Sequence, residues 1–155
     1  MSFMSQPTVT RPANTDQYTA GDVVGGVITF AGLGNAREHI LITSVDLRIN
    51  IGSIPSGMGG FRLHLYRETP PSAYADNAAW DLPSGDRSVY IGYIDLGAPL
   101  DMGSTLFTQA DGVNKHVRVA GSAPCFLYGY LQTTGTYTPA SNSEVYVPCI
   151  RAVEL

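Results

Sequence analysis

The chain has 155 residues, 44% of them hydrophobic and only 14% charged, and its nine basic and thirteen acidic side chains leave a formal net charge of −4. That length makes one domain with enough apolar material for its own core. Neither sign of charge gathers into the stripe that phosphates or an anionic membrane surface would need, so the reading excludes nucleic acid and membrane as partners.

No apolar stretch approaches the roughly 20 residues of a membrane-spanning helix. The start, MSFMSQPTVTRP, lacks the charged-then-apolar pattern of a secretory signal, so synthesis in the cytoplasm is expected. Residues 1–18 carry Pro7 and Pro12 with no sustained periodicity. They are expected to form an extended N-terminal arm lying over a neighbour, with 19–155 a single β-sandwich domain.

Within that domain the first β-rich run is 22–30, where Gly25 and Gly26 interrupt a strand-like pattern and mark a bulge or a close backbone approach. From Val45 to Ile51 apolar and polar residues alternate without a break, which places Val45, Leu47, Ile49 and Ile51 on one dry face. Phe61, Leu63 and Leu65 repeat the pattern until Pro70 and Pro71 remove two backbone donors. Further strands are expected at 88–96, 105–108, 116–119, 125–131 and 144–153.

Turn chemistry separates them: GLGN at 32–35, PSGMGG at 55–60, LPSGD at 82–86, ADG at 110–112 and TTGTYTPASNS at 133–143. Only 72–80 invites a helix, and it is short enough to read as a helical or loop insert. The sum is an all-β antiparallel two-sheet sandwich of jelly-roll type, with about eight strands and one short helical or loop insert.

Chemistry-bearing patterns are sparse. His39, His64 and His116 stand alone on separate elements, in none of the spacings that build metal sites, and read as solvent-facing strand residues. Asp76, Asp81 and Asp86 lack the alternation of a calcium loop and read as caps, Asp76 as a helix N-cap. No nucleophile elbow or phosphate-binding loop is present in the sequence. No catalytic residue, cofactor or metal is assigned, and the chain is read as not an enzyme. Cys125 and Cys149 would face each other if the last two strands formed a hairpin, but a jelly roll would place those strands in different sheets; buried, reduced thiols are the preferred reading.

Three stretches carry a resemblance: YTAGDVVG at 18–25, FRLHLYRETPPSAYADNAAWDLPSGDRSVYIGYI at 61–94 and LYGYLQTTGTYTP at 127–139. They resemble small head decoration, or cement, proteins of tailed bacteriophages, a family with a jelly-roll fold. The resemblance implies a non-enzymatic structural protein on the outside of the virion capsid, where it stabilises contacts between subunits of the major capsid protein and self-associates as a dimer or trimer. Low charge and nine tyrosines suit a protein whose work is contact area. The protein interface is expected at Tyr74 and Trp80 in the insert and Tyr137 in the long loop, with Trp80 as a lid on its own core the competing reading. The alternative is a carbohydrate-binding or tail-fibre-associated jelly roll using Tyr74, Trp80, Asp76 and Asn77.

Overall fold

The computed structural model describes residues 1–119 and 125–155. The nine strands among them are β1 (Ser2–Ser5), β2 (Val23–Ala31), β3 (His39–Ile49), β4 (Phe61–Tyr66), β5 (Tyr90–Leu96), β6 (Leu100–Asp101), β7 (Leu106–Arg118), β8 (Phe126–Thr133) and β9 (Tyr146–Glu154). They form a five-stranded sheet in the order β1-β9-β3-β7-β6 and a four-stranded sheet in the order β2-β8-β4-β5. Every pair is antiparallel. The chain passes from one sheet to the other repeatedly, and neighbours within a sheet are mostly distant in sequence, as expected of a jelly roll.

The core lies between the sheets and follows the alternation in the sequence. Val45, Leu47 and Ile49 are fully buried and Ile51 nearly so, while Phe61, Leu63 and Leu65 face them from the other sheet, also fully buried. Outward-facing Asp46 is paired with Arg151 on β9. β8 and β9 lie in different sheets, so the hairpin register that would oppose the cysteines is not used. Both thiols are buried.

Two expectations need correction. Residues 105–108 and 116–119 are the two ends of one strand, β7, and the ADG expected to turn the chain lies inside it. The register of β3 against β7 jumps between Ile42 and Ser44, and Gly112 (φ 64°) and Asn114 (φ 50°) take the left-handed conformations of this bulge. Turn residues here bend a strand instead of ending it.

Of the two forms expected for the insert at 72–80 the structure takes the loop, and a 3₁₀ turn follows it at Ser84–Asp86. Residues 77–80 lie against the start of β2, with the Val23 amide donating to the Ala78 carbonyl (2.8 Å) and the Trp80 amide to the Gly21 carbonyl (3.0 Å). This covers part of an otherwise open sheet edge.

Residues 1–18, second, pack on their own domain. β1 pairs with β9, Val9 bridges to Tyr146, and Tyr18 bridges to Tyr137. Val9 and Tyr18 are both buried. Gly25 explains the close fit: at φ 76° it bulges β2, and a Cβ there would sit 2.2 Å from Val9 Cγ1.

Candidate functional site

The outer face of the four-stranded sheet is covered by the insert. His64 on β4 points outward, yet it is buried because the Trp80 indole lies flat on its imidazole, centroids 3.5 Å apart and planes 10° apart. Trp80 Nε1 donates to the Tyr66 hydroxyl at 3.1 Å. His64 Nε2 lies 2.8 Å from Gln132 Oε1 and its Nδ1 2.9 Å from the Tyr90 hydroxyl. An amide oxygen only accepts, so the proton belongs on Nε2 and the Tyr90 hydroxyl donates to Nδ1.

Burial is the main cause that lowers the His64 pKa to about 4; Arg62 lowers it further, while Gln132 and Asp95 oppose the shift. A second small core of Val23, Tyr66, Val89 and Tyr130 forms beneath the insert, with Tyr74, Trp80 and Leu82 packed on it. Trp80 thus lies over its own sheet in the manner of a lid.

Tyr137 is in the core, 1% exposed, which corrects its assignment to an interface. Its hydroxyl bonds that of Tyr146 at 2.8 Å, and Tyr146 donates to Glu144 Oε2 at 2.9 Å. Burial first, then these neighbours, pushes the Tyr146 pKa far above the usual phenol range. A tyrosine offers a large apolar body with one polar tip, and here the tip finds its partner inside the fold.

Asp76 caps no helix. It accepts from the Tyr18 hydroxyl and from the Gly25 amide, both at 2.6 Å, and so fastens the insert to the N-terminal segment. Of the residues named for sugar recognition, Trp80 has one ring face taken by His64 and Asp76 has one carboxylate oxygen shared by two donors. Asn77 holds a left-handed turn at φ 68°. Tyr74 is half-buried, its hydroxyl donating to the Asp81 carbonyl at 3.0 Å.

An open, partly apolar surface lies on the outer face of the five-stranded sheet. Backbone register sets Val147, Arg48, Phe107 and Leu100 in one row across β9, β3, β7 and β6. Leu100 is 68% exposed and Met102, at the tip of the β6–β7 hairpin, 63%. They flank a groove of about 470 Å³ that also includes Phe107, Thr108 and Gln109. A second hollow of about 250 Å³ adjoins the row at Arg48, Asn50, Thr105, Val145 and Val147.

Sequence reasoning missed this face. The signal was two bulky apolar residues, Leu100 and Met102, flanking Asp101 in a turn-rich segment where polar residues are the norm. It also missed that β3 and β7 bring His39 and His116 together, with His39 Nδ1 2.8 Å from His116 Nε2.

No known family model and no curated protein matches the sequence. Similar solved structures include the native virion of Kashmir bee virus at neutral pH, at 12% identity and TM-score 0.32, covering 100% of this chain and 72% of that one. Another is the Drosophila NLP-core, at 11% identity and TM-score 0.32, covering 96% and 97%. A third is the Triatoma virus empty capsid, at 11% identity and TM-score 0.31, covering 99% and 87%. At these scores the likenesses assign no function to the chain.

Proposed function

We propose that the chain is a non-enzymatic structural protein of a tailed-bacteriophage virion, bound to the outside of the capsid, where it stabilises contacts between subunits of the major capsid protein. The reading rests on the resemblance of residues 18–25, 61–94 and 127–139 to head decoration proteins. The observation that carries it further is the outward row Val147, Arg48, Phe107 and Leu100, with Met102 beside it. Aromatic residues, Met and Arg are the types enriched in protein interfaces. Exposed apolar surface gathered at a groove marks a partner's seat more often than exposed residues scattered singly. On the four-stranded face, by contrast, the Tyr66 hydroxyl is taken by Trp80 of the insert and His64 by Tyr90 and Gln132 of its own sheet.

The test adds purified protein to heads of the encoding phage that lack it, then sediments them. Wild type co-sediments with heads, and Leu100→Asp/Met102→Asp, altering two exposed side chains, loses occupancy by at least about tenfold while its Tm stays within a few degrees. Recovery with free tails, or undiminished occupancy of the double variant, overturns the reading or its docking face respectively.

A further inference from the structure

The sheet register places two imidazoles side by side on the outer face of the five-stranded sheet, at the opposite end of β3 from Arg48. His39 opposes Arg118 and His116 opposes Leu41, so the two histidines are diagonal neighbours on β3 and β7. Both are exposed. Their ring centroids are 4.8 Å apart, and His39 Nδ1 and His116 Nε2 approach to 2.8 Å. One ring donates its N–H to the other when no ion is present. Arg118, the nearest cation by register, has its Nε donating to the Arg37 carbonyl at 3.2 Å.

We propose that His39 and His116 form a surface chelate for a late first-row divalent cation, Cu²⁺ or Ni²⁺ in preference to Zn²⁺, with water completing the coordination. Imidazole is a ligand suited to all three ions. Geometry separates them. With metal–nitrogen bonds of about 2.0–2.1 Å, two ligands at the right angle of a tetragonal or octahedral ion stand about 2.9 Å apart, and at a tetrahedral angle about 3.3 Å apart. The observed 2.8 Å matches the spacing of the first arrangement, and the rings then turn so that both lone pairs converge on the ion in place of the N–H that joins them. Both rings stand on paired strands, so the backbone supplies the spacing before any ion arrives. His64, the third histidine, is sealed beneath Trp80 with both nitrogens engaged and does not compete.

The experiment titrates CuSO₄, NiCl₂ and ZnSO₄ separately into tag-free full-length protein by calorimetry in a non-coordinating buffer. One ion binds per chain, copper most tightly and nickel more tightly than zinc. His39→Ala and His116→Ala each weaken nickel binding at least about tenfold, since losing even a group that only supports a ligand typically costs 10–100-fold. Both variants alter exposed side chains, and thermal melting confirms that each remains folded. Absence of nickel binding by the wild type, unchanged affinity in both variants, or zinc binding tighter than nickel overturns the assignment. A site that binds as described leaves open to separate test whether the protein docks on heads.

Discussion

The Trp80 indole stacks on the His64 imidazole at 3.5 Å and seals a histidine that points away from the sandwich core. Strand alternation alone would leave His64 wet, because Leu63 and Leu65 on either side face inward. The indole removes it from water and the insert becomes a third layer. Trp80→Ala should therefore destabilise the free protein by about 2–3 kcal/mol, lowering Tm by roughly 5–10 °C in calorimetry. A Tm within 2 °C of wild type would mean that the insert does not depend on its tryptophan.

The same burial makes stability depend on pH. His64 holds its proton less tightly in the folded state, with a pKa of about 4, than at the ordinary value of 6.5 in the unfolded chain. The unfolded state therefore binds the extra proton first. The contribution is complete above about pH 6.5 and is lost as pH falls toward 4, amounting to about 2–3 kcal/mol by pH 4.5. Urea unfolding of wild type and His64→Gln at pH 7.5 and 4.5 checks this. The wild type should lose more stability than the variant between the two, and parallel losses would count against a sealed neutral histidine.

The contrast between Leu47 and Arg48 tests the core register. Leu47 is fully buried between the sheets, and Arg48 points outward from the same strand. Leu47→Ala should cost about 2–5 kcal/mol, and Arg48→Ala within about 0.5 kcal/mol, in denaturant unfolding. Equal effects would place the strand one residue out of register.

The parts of this fold that were legible are those in which chemistry is local. Alternation at Val45–Leu47–Ile49 and Phe61–Leu63–Leu65 reports a dry face without reference to anything distant, and both faces are where the pattern places them. Gly25 likewise announces its bulge. The ADG at 110–112 misled because a bulge and a turn ask for the same residues, and only the partner strand β3 distinguishes them. Tyr137 misled because an aromatic in a long polar loop looks like an exposed anchor, while its partners Tyr18 and Tyr146 come from other segments. The groove at Leu100 and the His39–His116 contact depend on which strands become neighbours. Seventy-seven residues separate those two histidines, and no spacing rule reaches that far.

The N-terminal segment supplies the last prediction, because it belongs to the domain that it was expected to leave. β1 adds a strand to the edge of the five-stranded sheet, and Val9 fills the space left by the missing side chain of Gly25. Arg11 Nε donates to the Tyr18 hydroxyl at 2.7 Å, and its guanidinium lies over the rings of Tyr18 and Tyr146, 5.4 and 5.6 Å from their centroids. That hydroxyl in turn donates to Asp76, so one chain of contacts joins residue 11 to the insert. Deleting residues 1–12 removes the strand, the buried valine and the guanidinium together. Burying a valine contributes about 1.5–3 kcal/mol and a hydrogen bond to a charged group about 1.5–3 kcal/mol. The truncated protein should melt roughly 10 °C or more below the full chain. Val9→Ala and Arg11→Ala should each reproduce part of the loss, which distinguishes packing from simple shortening. A truncated protein melting within 2 °C of the full chain would return the segment to the role of a free arm.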